Sequence, residues 1–241
     1  MIRPLTDFSL NLAEVAQLVS AENSAAISQS SGSIQITGVA HRDSDVEPGD
    51  IFLAIPGARV HGAGFIAAAV ARGAVAVVTD SAGAVPASSL PTLVVKDVRT
   101  AGAIISSSLY KDPTRDLGAI GITGTNGKTT VSTLLYQIFE GAGRDTGLIG
   151  TIETRIGSEV LTSTRTTPEA PELQSLAAVM RERHMRHLVM EVSSHALSMN
   201  RVKASHFAMV GFTNLSQDHL CLLYTSPSPR DRTRSRMPSS A

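Results

Sequence analysis

Lys128 and Thr129 close the stretch Gly121-Ile-Thr-Gly-Thr-Asn-Gly-Lys-Thr-Thr130. A lysine and a hydroxyl behind a glycine loop are residues that handle phosphate. Gly124 and Gly127 let the backbone turn tightly and aim N–H groups at an anion. Lys128 can reach the terminal phosphates of a nucleotide, and the Thr129 hydroxyl can hold Mg2+. The spacing departs from the full Walker pattern, which needs glycine five positions before Gly127, where Ile122 stands. A plain glycine turn is the bland alternative. The flanks argue against it: apolar Leu117 to Ile122 before the loop and an apolar-periodic Val131 to Glu140 after it read as strand, loop and helix.

Other side chains carry weaker signals. Glu191 ends the apolar run His187 to Val192, and carboxyl ends of parallel strands line the ligand crevice of an open sheet. It is a candidate Mg2+ ligand beside the phosphates. Asp218-His219 follows another strand-like run, Phe207 to Leu215, and His219 is a candidate metal ligand. Ser193, Ser194 and His195 suggest a hydrolase, but no Gly-x-Ser-x-Gly elbow is present. Helix capping and substrate hydrogen bonds suit them better. Thr166, Thr167 and Arg201 read, on chemistry alone, as loop hydroxyls and a surface cation.

Alternating strands and helices must position these groups. The periodicity predicts a helix over Leu10 to Ser20, a loop over 21–33 and a strand over Ile34 to Ala40. Strands follow at Ile51 to Ile55, Ala74 to Thr79 and Leu93 to Val95, with helices at Phe65 to Arg72 and Val98 to Leu109. Lys111-Asp112-Pro113 marks a boundary between domains. Beyond it come the loop unit, a strand from Thr146, a hairpin over Ile152 to Leu161, and a helix from Pro168 to about Arg183. A short helix over Ser194 to Met199 completes the pattern. This is α/β with mostly parallel sheets.

Composition narrows the class. The 241 residues carry 21 basic and 21 acidic side chains, so no net field points to nucleic acid or an acidic membrane. Trp is absent and aromatics are few, which disfavours a base-stacking surface. The single cysteine, Cys221, excludes an intrachain disulfide framework. No signal peptide or membrane-length apolar run is evident, and a cytoplasmic location fits.

Beyond these readings, the chain resembles the Mur ligases of peptidoglycan synthesis, in the branch that adds the third residue of the stem peptide. The matching pieces are Val46-Glu-Pro-Gly-Asp-Ile-Phe-Leu-Ala54, Gly62, Gly73-Ala74, Gly121 to Thr130 and Thr166-Thr167-Pro168. They continue with Met190-Glu-Val-Ser-Ser-His-Ala-Leu197, Arg201-Val202 and Asn214-Leu-Ser-Gln-Asp-His-Leu220. The resemblance covers residues 1–220. It implies a Rossmann-like domain over 1–111 that binds the uridine nucleotide of UDP-MurNAc, then a phosphate-loop central domain over 112–220 that binds ATP. It also implies a ligase that phosphorylates a carboxylate of UDP-MurNAc-L-Ala-D-Glu and joins the acyl phosphate to a diamino acid. Overall likeness leans the diamino acid to meso-diaminopimelate over L-Lys.

Position by position, the resemblance gives ATP binding to Gly124, Thr125, Asn126, Gly127, Lys128, Thr129 and Thr130. Lys128, Glu191 and His219 become catalytic, with Thr129, Glu191 and His219 holding Mg2+. Thr166, Thr167, Ser193 and Arg201 would bind the muramoyl-dipeptide, and Ser44 the uridine end. A monomer without nucleic-acid or membrane partners is expected.

The likeness stops at Leu220. The family's carbamylated lysine, about 14 residues beyond His219, is absent: Thr233 stands there. Residues 221–241 hold Ser-Pro-Ser-Pro and four spaced arginines. They are expected to be a disordered or artefactual tail on a truncated, inactive ligase. The alternative is a non-catalytic module that binds UDP-muramoyl peptides.

Overall fold

The computed structural model describes residues 1–57, 59–84 and 90–216. Strands β1 (Leu10–Asn11) and β2 (Gln35–Ile36) form a small antiparallel pair. Between them lie helices α1 (Leu12–Leu18) and α2 (Ser24–Ser30). The second corrects the expected loop over 21–33. Its apolar signal is a single buried residue, Ile27, among serines and alanines, too sparse to show a period. Strands β3 (Gly38–Ala40), β4 (Asp50–Leu53), β5 (Ala76–Thr79) and β6 (Thr92–Val94) then build a four-stranded parallel sheet in chain order. Helix α3 (Ile66–Ala71) joins β4 to β5, and α4 (Val98–Leu109) leaves β6. Asp97 caps α4, its carboxylate accepting from the N–H groups of Arg99 and Thr100.

Past the one-turn helix α5 (Pro113–Asp116), a six-stranded sheet begins with β7 (Gly118–Thr123). Helix α6 (Lys128–Gly141) follows, then β8 (Thr146–Ile149), β9 (Glu153–Ile156) and β10 (Glu159–Thr162). Helix α7 (Ala170–Glu182), β11 (His187–Glu191), α8 (Ser194–Ser198) and β12 (Met209–Phe212) complete it. The order is β10-β9-β8-β11-β7-β12, with β8, β11, β7 and β12 parallel and the β9–β10 hairpin antiparallel at one edge. Apart from the edge strand β12, the parallel strands read as continuous apolar runs because their faces are covered.

Helices α4 and α7 pack on each other between the two sheets. This explains why both are buried almost all round: Ala101, Gly102, Ile105 and Ser106 on one, Leu173, Ser175, Ala177 and Ala178 on the other. Ala178 joins the core of the first sheet, so the two cores touch. Small residues let helix axes approach, which is why alanine and serine replace leucine there. The N-terminal segment adds a second tie. Arg3 donates to both oxygens of fully buried Asp50, each at 2.6 Å, while the backbone N–H groups of Leu5 and Thr6 donate to Glu182 at the end of α7. A buried carboxylate such as Asp50 requires this pairing, and removing Arg3 would leave an uncompensated charge.

Helix α6 is less enclosed. Val131, Leu135, Tyr136 and Phe139 pack on Ile120, Ile122, Leu148 and Val189, whereas Leu134 and Ile138 face outward. Strand β12 is an edge of the sheet among the described residues, with Met209, Val210 and Phe212 exposed. Asp218, His219 and the segment 221–241 lie outside the described residues.

Candidate functional site

The site is assembled where β7, β8 and β11 end. Glu191 lies opposite Ile122 in the β7–β11 register, and Met190 opposite Ile149 in the β8–β11 register. Parallel strands therefore deliver three segments to one edge: the glycine loop, Gly150-Thr151, and Glu191-Val192-Ser193.

The loop holds a fixed shape. Gly124 and Gly127 take φ of +129° and +84°, conformations that side chains resist. A Cβ on Gly124 would also stand 2.2 Å from the Thr213 hydroxyl. The segment after β12 braces the loop. Thr125 N–H donates to the Asn214 carbonyl at 2.9 Å, and Asn126 N–H to the Asn214 side chain at 3.1 Å. The hydroxyl of Thr213 and the amide of Asn214 donate back to the Asn126 carbonyl. Lys128 folds over the loop, its Nζ donating to the carbonyls of Gly124 and Thr125 at 2.8 and 2.9 Å. These are contacts that phosphate oxygens could replace without moving the backbone. Helix α6 starts at Lys128 and directs its unpaired N–H groups and dipole at the same place.

Glu191 is buried, with 1% of its surface exposed, yet no cation pairs with it among the described residues. Its carboxylate accepts from the Thr129 hydroxyl at 2.9 Å, the Thr151 N–H at 2.7 Å and the Thr151 hydroxyl at 3.0 Å. A buried anion ringed by hydroxyl oxygens is a hard-oxygen donor set and fits Mg2+. Among the described residues no cluster of three or more His, Cys, Asp or Glu could hold a metal, so any ion here would rest on Glu191, Thr129 and ligands from elsewhere.

The threonine pair connects to this centre. The Thr166 hydroxyl lies 3.0 Å from the Thr151 hydroxyl and can donate to it while Thr151 donates to Glu191. Thr167 is fully buried, donating to the Glu191 carbonyl at 2.9 Å and accepting from the Ser193 N–H at 3.1 Å. Ser193 caps α8, its hydroxyl accepting from Ala196 N–H. Arg201 is not the free surface cation its chemistry suggested. Its Nη1 donates to the Thr167 carbonyl at 3.2 Å, and its Nε lies 3.0 Å from Glu169.

Ser44 stands apart, in the first unit. It lines a cleft of about 280 Å3 with His41, Arg42, Phe52, Val60 and Phe65 near the end of β4. Burial pushes the His41 imidazole down to about 4; Arg42 and Arg165 add to this, and Glu169 opposes it. His41 is therefore neutral near pH 7.

Sequence reading missed Thr151, Glu169, Arg99 and Arg165. Thr151 follows a parallel strand beside Glu191, so the strand-end rule that selected Glu191 also reaches it. Glu169 and the arginines carry no local signal: they meet only through packing of α4, α7 and the loop before α7.

Fold and site define an α/β protein with a glycine loop between strand and helix on the second of two joined sheets. The Mur ligase middle domain profile matches residues 122–225, and the Mur ligase family catalytic domain profile matches residues 35–118. Together they span most of the chain, and it belongs to the Mur ligase family. It is 48% identical over 220 residues to the UDP-N-acetylmuramoyl-L-alanyl-D-glutamate--2,6-diaminopimelate ligase of Streptomyces coelicolor, covering 90% of this chain and 42% of the relative. It is 47% identical over 189 residues to the UDP-N-acetylmuramyl-tripeptide synthetase of Leifsonia xyli, covering 78% and 37%. A solved UDP-N-acetylmuramoyl-L-alanyl-D-glutamate--2,6-diaminopimelate ligase shares the fold, with a TM-score of 0.71 at 24% identity over 88% of this chain and 42% of that one. The chain thus spans about two-fifths of the length of these relatives. No described helix is long and apolar enough to cross a membrane.

Proposed function

We propose that this chain is the nucleotide- and substrate-binding part of an ATP-dependent amide ligase. That ligase would join a diamino acid, meso-diaminopimelate in preference to L-Lys, to UDP-MurNAc-L-Ala-D-Glu. Residues 1–111 would take the uridine nucleotide at the Ser44 cleft, and residues 112–220 would take ATP at Thr125 to Thr130. The observation that carries the reading is the buried Glu191 carboxylate, paired with no cationic side chain among the described residues and hydrogen-bonded to Thr129 of the glycine loop. High identity to ligases of this kind over most of the chain supports the same substrates.

The chemistry follows from a carboxylate being a poor electrophile. Phosphoryl transfer forms a C–O–P bond and releases ADP; the amine then attacks the acyl carbon, loses a proton, and phosphate leaves. Lys128 would exchange its two loop carbonyls for phosphate oxygens and neutralise charge on the transferring group. Glu191, Thr129 and His219 would hold Mg2+, which when bound supplies further charge stabilisation. Thr166, Thr167 and Ser193 would orient the muramoyl-dipeptide, and Arg201 would pair with a carboxylate. We place the protein in the cytoplasm as a monomer.

Two measurements test this. Titration with UDP-MurNAc-L-Ala-D-Glu, with and without ATP and Mg2+, is expected to show coupled binding. Binding indifferent to nucleotide would favour a non-catalytic module instead. ADP release with each diamino acid is expected to be weak or absent for the 241 residues alone, because the relatives are more than twice as long. Turnover at the rate of a full-length ligase would overturn that expectation.

A further inference from the structure

Glu169 stands at the entrance to α7, with 8% of its side chain exposed, among three guanidinium groups. Arg99, from the first turn of α4, donates from Nη1 to Oε2 at 2.8 Å. Arg201 Nε lies 3.0 Å from Oε1, and Arg165 Nη1 lies 3.8 Å from the same oxygen. One carboxylate thus pairs with three guanidinium groups in a half-buried place, and the nearby Glu172 carboxylate attracts Arg165 as well. Burial lowers the Arg201 pKa, and Arg165 and Arg99 lower it further while Glu169 opposes them.

The pairing is also incomplete. Arg201 Nε lies within ion-pair distance of Glu169 but is a buried donor without a well-formed hydrogen bond among the described residues. Arg165 Nη1 is likewise a buried donor with no acceptor among the described residues. Buried unsatisfied donors cost stability unless a ligand completes them. The cluster is anchored on both sides. Asn200, next to Arg201, donates to Asp97 and Thr100 at the start of α4, at 3.0 and 3.1 Å. Arg201 also reaches the Thr167 carbonyl, and Thr167 bonds Glu191 and Ser193.

We propose that Glu169 is a positioning residue that aims Arg201, with Arg165 and Arg99 beside it, at the non-reacting carboxylate of the substrate. This rests on the ligase reading above. A D-Glu unit presents two carboxylates of similar chemistry, and only one is to be activated. A guanidinium fixed in place through Thr167 to the Glu191 centre binds one of them and leaves the other to the phosphate loop. Glu169 holds that guanidinium in register and lessens repulsion among the three arginines.

The test compares two ligands by calorimetry on the 241-residue chain: UDP-MurNAc-L-Ala-D-Glu, and the same molecule with its α-carboxylate amidated. The wild type is expected to prefer the acid by about tenfold, the worth of one charge-assisted contact. Glu169→Gln is expected to remove the preference. Glu169→Asp, which keeps the charge and shortens its reach, is expected to leave about threefold; it carries the test if the glutamine variant does not fold. Equal weakening of both ligands with the preference intact would mean a structural role and overturn the proposal. So would an unchanged preference in either variant, or none in the wild type. Failure of both ligands to bind the wild type would refute the ligase reading itself, and this inference with it.

Discussion

The two larger sheets, one parallel and one mixed, present different kinds of surface at the carboxyl ends of their parallel strands. The end of β7 runs into the glycine loop, where Gly124, Gly127, Lys128 and Thr129 lie within ten consecutive residues, and Thr151 and Glu191 join them from neighbouring strand ends. The cleft near the end of β4 is built from separated pieces: His41, Arg42 and Ser44 from one loop, Val60 and Phe65 from another, Phe52 from the strand. A phosphate is a small, symmetric anion that backbone N–H groups and one cation can satisfy, so a short contiguous motif suffices. A larger ligand would need walls from several directions, which one short segment cannot supply. The first kind of site has a sequence signature and the second does not.

Four changes would break or sharpen this contrast. The largest effect is expected at Glu191. Glu191→Gln should weaken Mg2+-dependent ATP binding by roughly a hundredfold, about 3 kcal/mol, with uridine-nucleotide binding unaltered. Parallel titrations with ATP and with UDP would show whether the sites are separable; equal losses at both would remove the distinction. Next, Gly124→Ala puts a Cβ against Thr213 at a φ of +129°, and should cost about 2–3 kcal/mol, read as a lower Tm together with weaker ATP binding.

The third concerns His41. Its folded pKa of about 4 lies below the unfolded value of 6.5, so the unfolded chain binds the proton more readily in between. The stability this group contributes is full above pH 6.5 and is lost as pH falls toward 4. Urea titrations should show about 2 kcal/mol less stability from this group at pH 5 than at pH 7.5. His41→Gln should flatten that slope, and an unchanged slope would assign it to other groups. The smallest effect is expected at Ser44. Ser44→Ala should weaken UDP binding by about fivefold, one hydrogen bond of roughly 1 kcal/mol, and leave ATP binding alone.

Much of the scaffold was legible because period and boundary signals agreed. Helix α4 runs over Val98–Leu109, the bounds expected from the sequence. The hairpin over β9 and β10 lies at its expected place, around Gly157. The serine-rich α2 was not legible, since its one anchor, Ile27, acquires meaning only against the core formed with α1.

The sequence by itself determined the alternation of strands and helices, the phosphate loop, and Glu191 as an acid at a strand end. Each depends on residues near one another in the chain. Tertiary structure alone decided that Thr129 and Thr151 hold Glu191, that Asn214 braces the loop, and that Arg99 and Arg201 both meet Glu169. Those partners lie tens to about a hundred residues apart and come together only when strand register and the packing of α4 on α7 bring them there.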